Sequence, residues 1–306
     1  MINFSAFATL ILSGLILTGE NPAAWKYSAI LVFATVVGVT SAYFLKRSPD
    51  RAVPVVARDR KSTGLRHVWV VASESWKSVS YRRTLRYFVL VNLAIFPVQG
   101  FLILYINENL GYTTGETLQF QALNTLGVLL SSLAWGNLCD KYGSKPVLNI
   151  VISGILLQYL VWLAFACGVV SPAWWMIMAL QLIWGVHASG HVIATVKMML
   201  GCCPKKDLTL EMSVLQVSIA LCAGVSPLLI GTMLKWTRPS SLENITSISP
   251  GFAVLFAVCI LACVAALKLI SSLREPSAKS SRLLLAYVIL DWPARVFKAG
   301  KKEPRV

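Results

Sequence analysis

The sequence predicts an all-α polytopic membrane protein with about eight transmembrane helices, and three observations support this fold class. The 306 residues are 56% hydrophobic and only 13% charged, with a mean hydropathy of +0.68. Soluble domains instead carry about a quarter charged residues. The apolar runs approach the roughly twenty residues that cross the hydrocarbon core as a helix, and polar segments separate these runs. The chain is therefore expected to cross a membrane repeatedly.

The apolar runs divide the chain into four parts. Residues 1–45 hold two spans, residues 46–86 form a basic linker, residues 87–270 hold six spans, and residues 271–306 form a basic tail. The tail contains "RLLLAYVILDW", which is too short to cross and is typical of a helix lying on the membrane surface. The predicted spans are 3–19, 24–45, 87–106, 117–135, 147–167, 173–196, 211–234 and 250–270.

Basic residues are distributed very unequally between the two sides of the membrane. With spans alternating in direction, 25 of the 28 Lys and Arg residues fall on one side, and the other side keeps Lys26, Lys235 and Arg238. The positive-inside rule makes the crowded side cytoplasmic, so both termini are expected in the cytoplasm. The net charge of +15 follows from this topology, and we expect no nucleic-acid partner. The expected location is the plasma (inner) membrane.

One polar segment, "GNLCDKYGSKPVL" at residues 136–148, interrupts the apolar sequence between the fourth and fifth spans. Gly136 would let a neighbouring helix approach closely, and Gly143 can take the positive φ angle of a tight reversal. Asp140 can accept hydrogen bonds from free N–H groups at a neighbouring helix start. We call residues 136–148 the signature segment. Its candidate cytoplasmic gating residues are Gly136, Asp140, Lys141, Gly143 and Lys145.

The signature segment resembles the signature loop of the major facilitator superfamily, G-x-L-x-D-R-x-G-R-K/R-x-x-L. Lys141 keeps the charge of the first basic position, whereas Ser144 departs from a position that is commonly basic. The remaining defined positions are matched by Gly136, Leu138, Asp140, Gly143, Lys145 and Leu148.

That family has twelve spans in two six-helix halves, and the loop follows the second span of each half. The resemblance implies that residues 87–270 are a complete C-terminal half and that residues 1–45 are the last two spans of the N-terminal half. Four preceding helices of the same protein would then be missing from this chain. The run "AGVSPLLIG" is similar to the Gly/Pro-marked helix next to last in that half.

The resemblance implies a secondary active transporter that moves a small solute by alternating access. The expected partners are a small-molecule substrate, the lipid bilayer and the missing N-terminal helices, with protons or sodium as candidate coupling ions. No cofactor or enzyme activity is expected, because the sequence contains no phosphate-binding loop and no nucleophile elbow. The alternative is a scaffold or transporter remnant that moves no solute.

Polar side chains inside the spans are candidate contacts for a substrate or for protons, because burying them in a membrane is costly. His187 and His191 lie four residues apart on one helix face, and imidazole titrates near neutrality. The pair could instead pack helices or bind a metal, although no third ligand stands at a companion spacing. Lys197 is expected to extend to lipid headgroups. The full set of candidates is Asn92, Gln99, Gln181, His187, His191 and Gln216.

Overall fold

The computed structural model describes residues 2–17, 24–47, 76–202, 208–237 and 249–273, together with Ser73 and Leu284. Within these residues lie eight helices of fifteen or more residues, and no strand is present in this part of the chain, so the predicted all-α polytopic fold class is confirmed. The helices are α1 (Ile2–Ile16), α2 (Ala24–Arg47), α3 (Val79–Leu104), α4 (Thr114–Tyr142), α5 (Ser144–Ala166), α6 (Trp174–Cys202), α7 (Leu208–Thr237) and α8 (Pro250–Ser272).

Each of the eight helices overlaps one predicted span. Six helices of the described residues, α3 to α8, are long and apolar enough to cross a membrane. A turn of π-helix, Tyr105–Asn109, extends α3. Helix α2 contributes a shorter apolar stretch, Trp25–Thr40. Helix α1 has 15 residues, which corresponds to about 22 Å of helix.

The helix ends differ from the prediction around the signature segment. Helix α4 has 29 residues and continues to Tyr142, whereas the predicted span stops at residue 135. A helix of this length is about 43 Å long, well beyond the roughly 30 Å of hydrocarbon. The polar end of α4 therefore extends past the apolar layer as helix. The predicted turn over residues 136–146 was wrong, because only Gly143 lies between α4 and α5.

The start of α3 also differs from the prediction, because it lies within the predicted linker. Helix α3 begins at Val79, eight residues before the predicted span. Ser78 caps this start, because its hydroxyl accepts a hydrogen bond from the Tyr81 N–H. Residues 48–72 and most of the predicted tail lie outside the described residues. Leu284 of the tail is helical and buried among the core side chains.

Helices α3 to α8 pack into one bundle. The most extensive contact joins α4 to α6; α5 packs on α6 and α8, and α3 packs on α7 and α8. Helix α1 packs along α4, whereas α2 has few contacts with the other described helices. The side chains of α2, such as Trp25 and Leu31, are accordingly exposed.

Two glycines allow the backbones of α4 and α6 to touch. A Cβ atom at Gly185 of α6 would overlap the carbonyl oxygen of Asn124, and one at Gly127 of α4 would overlap the carbonyl oxygen of Leu182. One turn further along, the hydroxyls of Ser131 and Ser189 are 2.6 Å apart, within hydrogen-bond distance. Small residues at such crossings maximise van der Waals contact between membrane helices.

We predict that Gly185→Ala destabilises the bundle by about 1–3 kcal/mol, because α4 and α6 must move apart to admit the methyl group. Gly38→Ala in α2 is the control, since nothing lies within 4 Å of the Cβ position there. Thermal unfolding in detergent, followed by tryptophan fluorescence, measures both. Equal unfolding temperatures for the two variants would contradict the close contact.

Candidate functional site

The signature segment joins α4 to α5 through a single residue. Gly143 has φ 95° and ψ 168°, and its N–H donates to the carbonyl of Cys139 at 3.1 Å. A side chain is strained at this φ angle, so glycine is required here. The predicted role of Gly143 in the reversal is therefore consistent with its backbone geometry. We call this end of the bundle the Gly143 end.

Lys197 of α6 meets the end of α4 at the Gly143 end. Its Nζ donates to Asp140 Oδ1 at 2.7 Å and to the carbonyl of Cys139 at 2.6 Å. A cation is favourable beside the last carbonyls of a helix, where the helix dipole is negative. The expectation that Lys197 extends to headgroups was wrong, because α6 packs against α4 and continues to this level. Asp140 accepts from this ammonium instead of from the start of a neighbouring helix.

Lys145 of α5 makes a second contact at the same end. Its Nζ donates to the carbonyls of Ser271 at 3.0 Å and Leu273 at 2.7 Å, which are at the end of α8. On the other side, Arg83 Nη1 of α3 donates to the carbonyl of Ser272 at 3.3 Å. Two cations therefore satisfy the last carbonyls of α8, which have no partner within the helix.

We call Asp140, Lys145, Lys197 and the carbonyls they contact the polar clasp. The polar clasp joins the ends of α4, α5, α6 and α8. Its ion pair is solvent-exposed, because the side chain of Asp140 is 78% accessible and that of Lys197 is 39% accessible. Exposed pairs contribute less than about 1 kcal/mol. The pair therefore sets the position of the helix ends without holding them strongly.

The other two gating candidates have smaller roles in the geometry. Gly136 lies inside α4, and nothing among the described residues lies within 4 Å of its Cβ position, so the expected close approach is not found there. Lys141 Nζ lies 5.2 Å from the ring centroid of Tyr142. Both residues belong to the part of α4 that extends beyond the predicted span.

The candidate substrate contacts on α6 lie on its buried face. Gln181 and His191 are buried, at 1% and 7% exposure. His187 faces α5, since a Cβ atom at Gly154 would overlap its imidazole ring. This arrangement supports the alternative in which His187 packs two helices together. The described residues contain no group of three His, Cys, Asp or Glu able to hold a metal ion.

The candidates on α3 and α7 are not gathered with those on α6. Asn92 is buried and donates within its own helix to the carbonyl of Phe88 at 2.7 Å. Gln99 and Gln216 are exposed, on α3 and α7 respectively. The six candidates thus form no single pocket in the described part of the chain.

A row of buried polar atoms on α6 has no hydrogen-bond partner among the described residues. Gln181 Nε2, His187 Nδ1 and His191 Nε2 belong to it, and so does Thr195 Oγ1, four residues beyond His191. Such atoms usually bind ordered water or a ligand, since leaving them unsatisfied costs free energy. Sequence reasoning missed Thr195, although the same four-residue spacing that relates the two histidines extends to it.

We predict that Gly143→Ala destabilises the protein by about 1–3 kcal/mol through backbone strain. Gly136→Ala is the matched control, because Gly136 is helical and open, and alanine there gains up to about 1 kcal/mol of helix propensity. Unfolding temperatures of the two variants should shift in opposite directions. A stable Gly143→Ala variant would contradict the positive φ angle.

We further predict that Lys145→Gln loosens the end of α8, at a local cost of about 1 kcal/mol for the lost charged hydrogen bonds. Hydrogen exchange at residues 268–273 should accelerate, and Lys26→Gln, on α2, should leave it unchanged. Equal protection in the two variants would show that Lys145 does not cap α8.

The family comparison agrees with this geometry. The sequence matches the family model of the Major Facilitator Superfamily over residues 1–165 and again over residues 118–293. Both matches include the signature segment and most of the two helices that flank it. A search of curated proteins finds no significant match. The matched regions together span most of the chain, and the chain belongs to the major facilitator superfamily.

Proposed function

We propose that the protein is a secondary active transporter that moves a small solute by alternating access. Membership of the family supports a membrane transporter in general. The polar clasp is the observation that supports alternating access in particular. It couples four helix ends through contacts that are weak enough to change. The clasp would hold one conformation of the transporter and release in the other.

Differences in packing indicate which surfaces move. Helices α4 and α6 have no free space at Gly127 and Gly185, so they cannot slide along each other at this crossing. Helix α1 packs closely along α4 near the opposite end, where a Cβ atom at Gly14 would lie 3.0 Å from the carbonyl oxygen of Gly115. We infer that α4 and α6 pivot at the crossing of Gly127 and Gly185, so that their ends at the Gly143 end change contacts when the polar clasp forms or releases.

The proposal extends to topology. The Gly143 end would face the cytoplasm together with both termini, in the plasma (inner) membrane, because most basic residues lie on that side. Residues 87–270 would be the C-terminal half, and helices of the N-terminal half would complete the cavity with it. Residues 46–86 would be the linker between the halves, with its last residues entering α3, and residues 271–306 would be the tail.

The substrate and proton contacts are proposed at two places. Gln99 and Gln216 would face the solute path, because they are exposed on the bundle. A buried polar path for protons or bound water would run along α6, formed by Gln181, His187, His191 and Thr195. Each of these side chains has a buried polar atom without a hydrogen-bond partner among the described residues. Asn92, hydrogen-bonded within α3, is the weakest of these candidates.

We predict that Asp140→Asn lowers solute uptake up to about fivefold, because an exposed pair of less than about 1 kcal/mol shifts a conformational equilibrium by no more than that factor. Lys197→Gln should give the same loss, and the double variant should lose no more than either one. Uptake is measured in proteoliposomes with the full-length protein, using solutes identified by screening cells that express it.

Lys268→Gln is the control for charge at the same end of the bundle, because Lys268 is exposed and outside the polar clasp, and unfolding temperatures check that the variants remain folded. Normal uptake by both Asp140→Asn and Lys197→Gln would contradict the role of the clasp. Stable protein with no uptake of any solute across the screen would instead support the scaffold alternative.

A further inference from the structure

Three arginines occupy one face at the start of α3. Arg82, Arg83 and Arg86 lie in its first two turns. At 100° per residue they fall within an arc of about 100°. We call them the arginine face. The topology of the chain explains why these residues are basic, but it does not explain why they share one face.

The arginine face lies at the depth of lipid headgroups. The span Val79–Asn109 has 31 residues, about 46 Å of helix against about 30 Å of hydrocarbon. The apolar sequence starts at Tyr87, so the two turns before it stand outside the hydrocarbon. Trp76 and Val79 beside them are 54% and 52% exposed. Exposed aromatic and apolar side chains next to arginines are typical of residues at the membrane interface.

The three positive charges of the arginine face favour the binding of an anion. The start of a helix carries a positive partial charge, which disfavours cations there. The first turn of α3 contains no acidic residue to compensate. Arg83 makes its one long hydrogen bond to Ser272. The side chains of Arg82 and Arg86 form no hydrogen bond or ion pair with the described residues.

A cavity adjoins the arginine face and has room for a headgroup. It has a volume of about 310 Å³ and lies between the start of α3 and the end of α8. Arg83 and Ser80 supply polar groups for a phosphate, and Val79 and Leu273 supply an apolar wall. Arginine suits this task, because its planar guanidinium binds phosphate oxygens through two parallel hydrogen bonds.

We propose that the arginine face binds the phosphate of an anionic phospholipid in the leaflet at the Gly143 end. The lipid would neutralise the three charges at the start of α3 and fill the cavity against α8. This inference does not depend on transport, since it concerns a lipid-facing surface separate from the proposed solute path.

Native mass spectrometry of the purified full-length protein, with phosphatidylglycerol and phosphatidylcholine in competition, tests the proposal. We expect the wild-type protein to retain phosphatidylglycerol preferentially. Affinity should fall on the order of fivefold per arginine, and on the order of a hundredfold for Arg82→Gln, Arg83→Gln and Arg86→Gln together. The double variant Arg82→Gln/Arg86→Gln leaves the Arg83 contact with α8 in place, so it tests binding if the triple variant does not fold.

The matched control is Lys26→Gln/Lys235→Gln, which removes two charges from the opposite end of the helices and should keep the preference. An additional arm offers inorganic phosphate, because a free anion could bind the same arginines. Phosphate that displaces phosphatidylglycerol at millimolar concentration would overturn the lipid assignment. Unchanged lipid preference in the double variant would overturn the site itself.

Discussion

The contact between α4 and α6 is the constraint on which the rest of the structure depends. Gly127 and Gly185 let the two backbones touch, and the hydrogen bond between Ser131 and Ser189 extends the contact by one turn. Because membrane helices gain little from the hydrophobic effect, such close packing is a main source of their association. It also fixes the relative height of the helices. Lys197 reaches Asp140 because this register places the two helix ends side by side.

Packing becomes looser away from this contact, and the difference indicates where the molecule can move. At the core, α4 and α6 cannot slide without a steric clash. Around them, α3, α5 and α8 share a core of aromatic rings, in which Trp162 stacks on Phe256 with centroids 6.3 Å apart. Helix α2, by contrast, exposes most of its side chains. Packed cores resist continuous deformation, so motion is expected where the packing is incomplete.

The sequence predicted the helices well and their contacts poorly, for physical reasons. Hydropathy identifies residues that prefer lipid, so it located all eight helices. It does not report where a helix ends in water, and the polar end of α4 was therefore interpreted as a turn. The partner of Lys197 depends on residues 57 positions away, and the surroundings of His187 depend on the absence of a side chain at Gly154. Both are contacts between residues far apart in the sequence, which local sequence patterns do not predict. For the same reason, the expected partner of Asp140, the start of a neighbouring helix, differs from the Lys197 ammonium that it contacts.

The single residue between α4 and α5 has a mechanical consequence. A connection of one glycine has no slack, so a tilt of α4 must be passed on to α5 at once. Lys145, two residues after Gly143, then transfers that displacement to the end of α8. The signature segment thus couples α4 rigidly to α5. The shortness of this connection, more than the charge of the segment, makes α4, α5 and α8 move together.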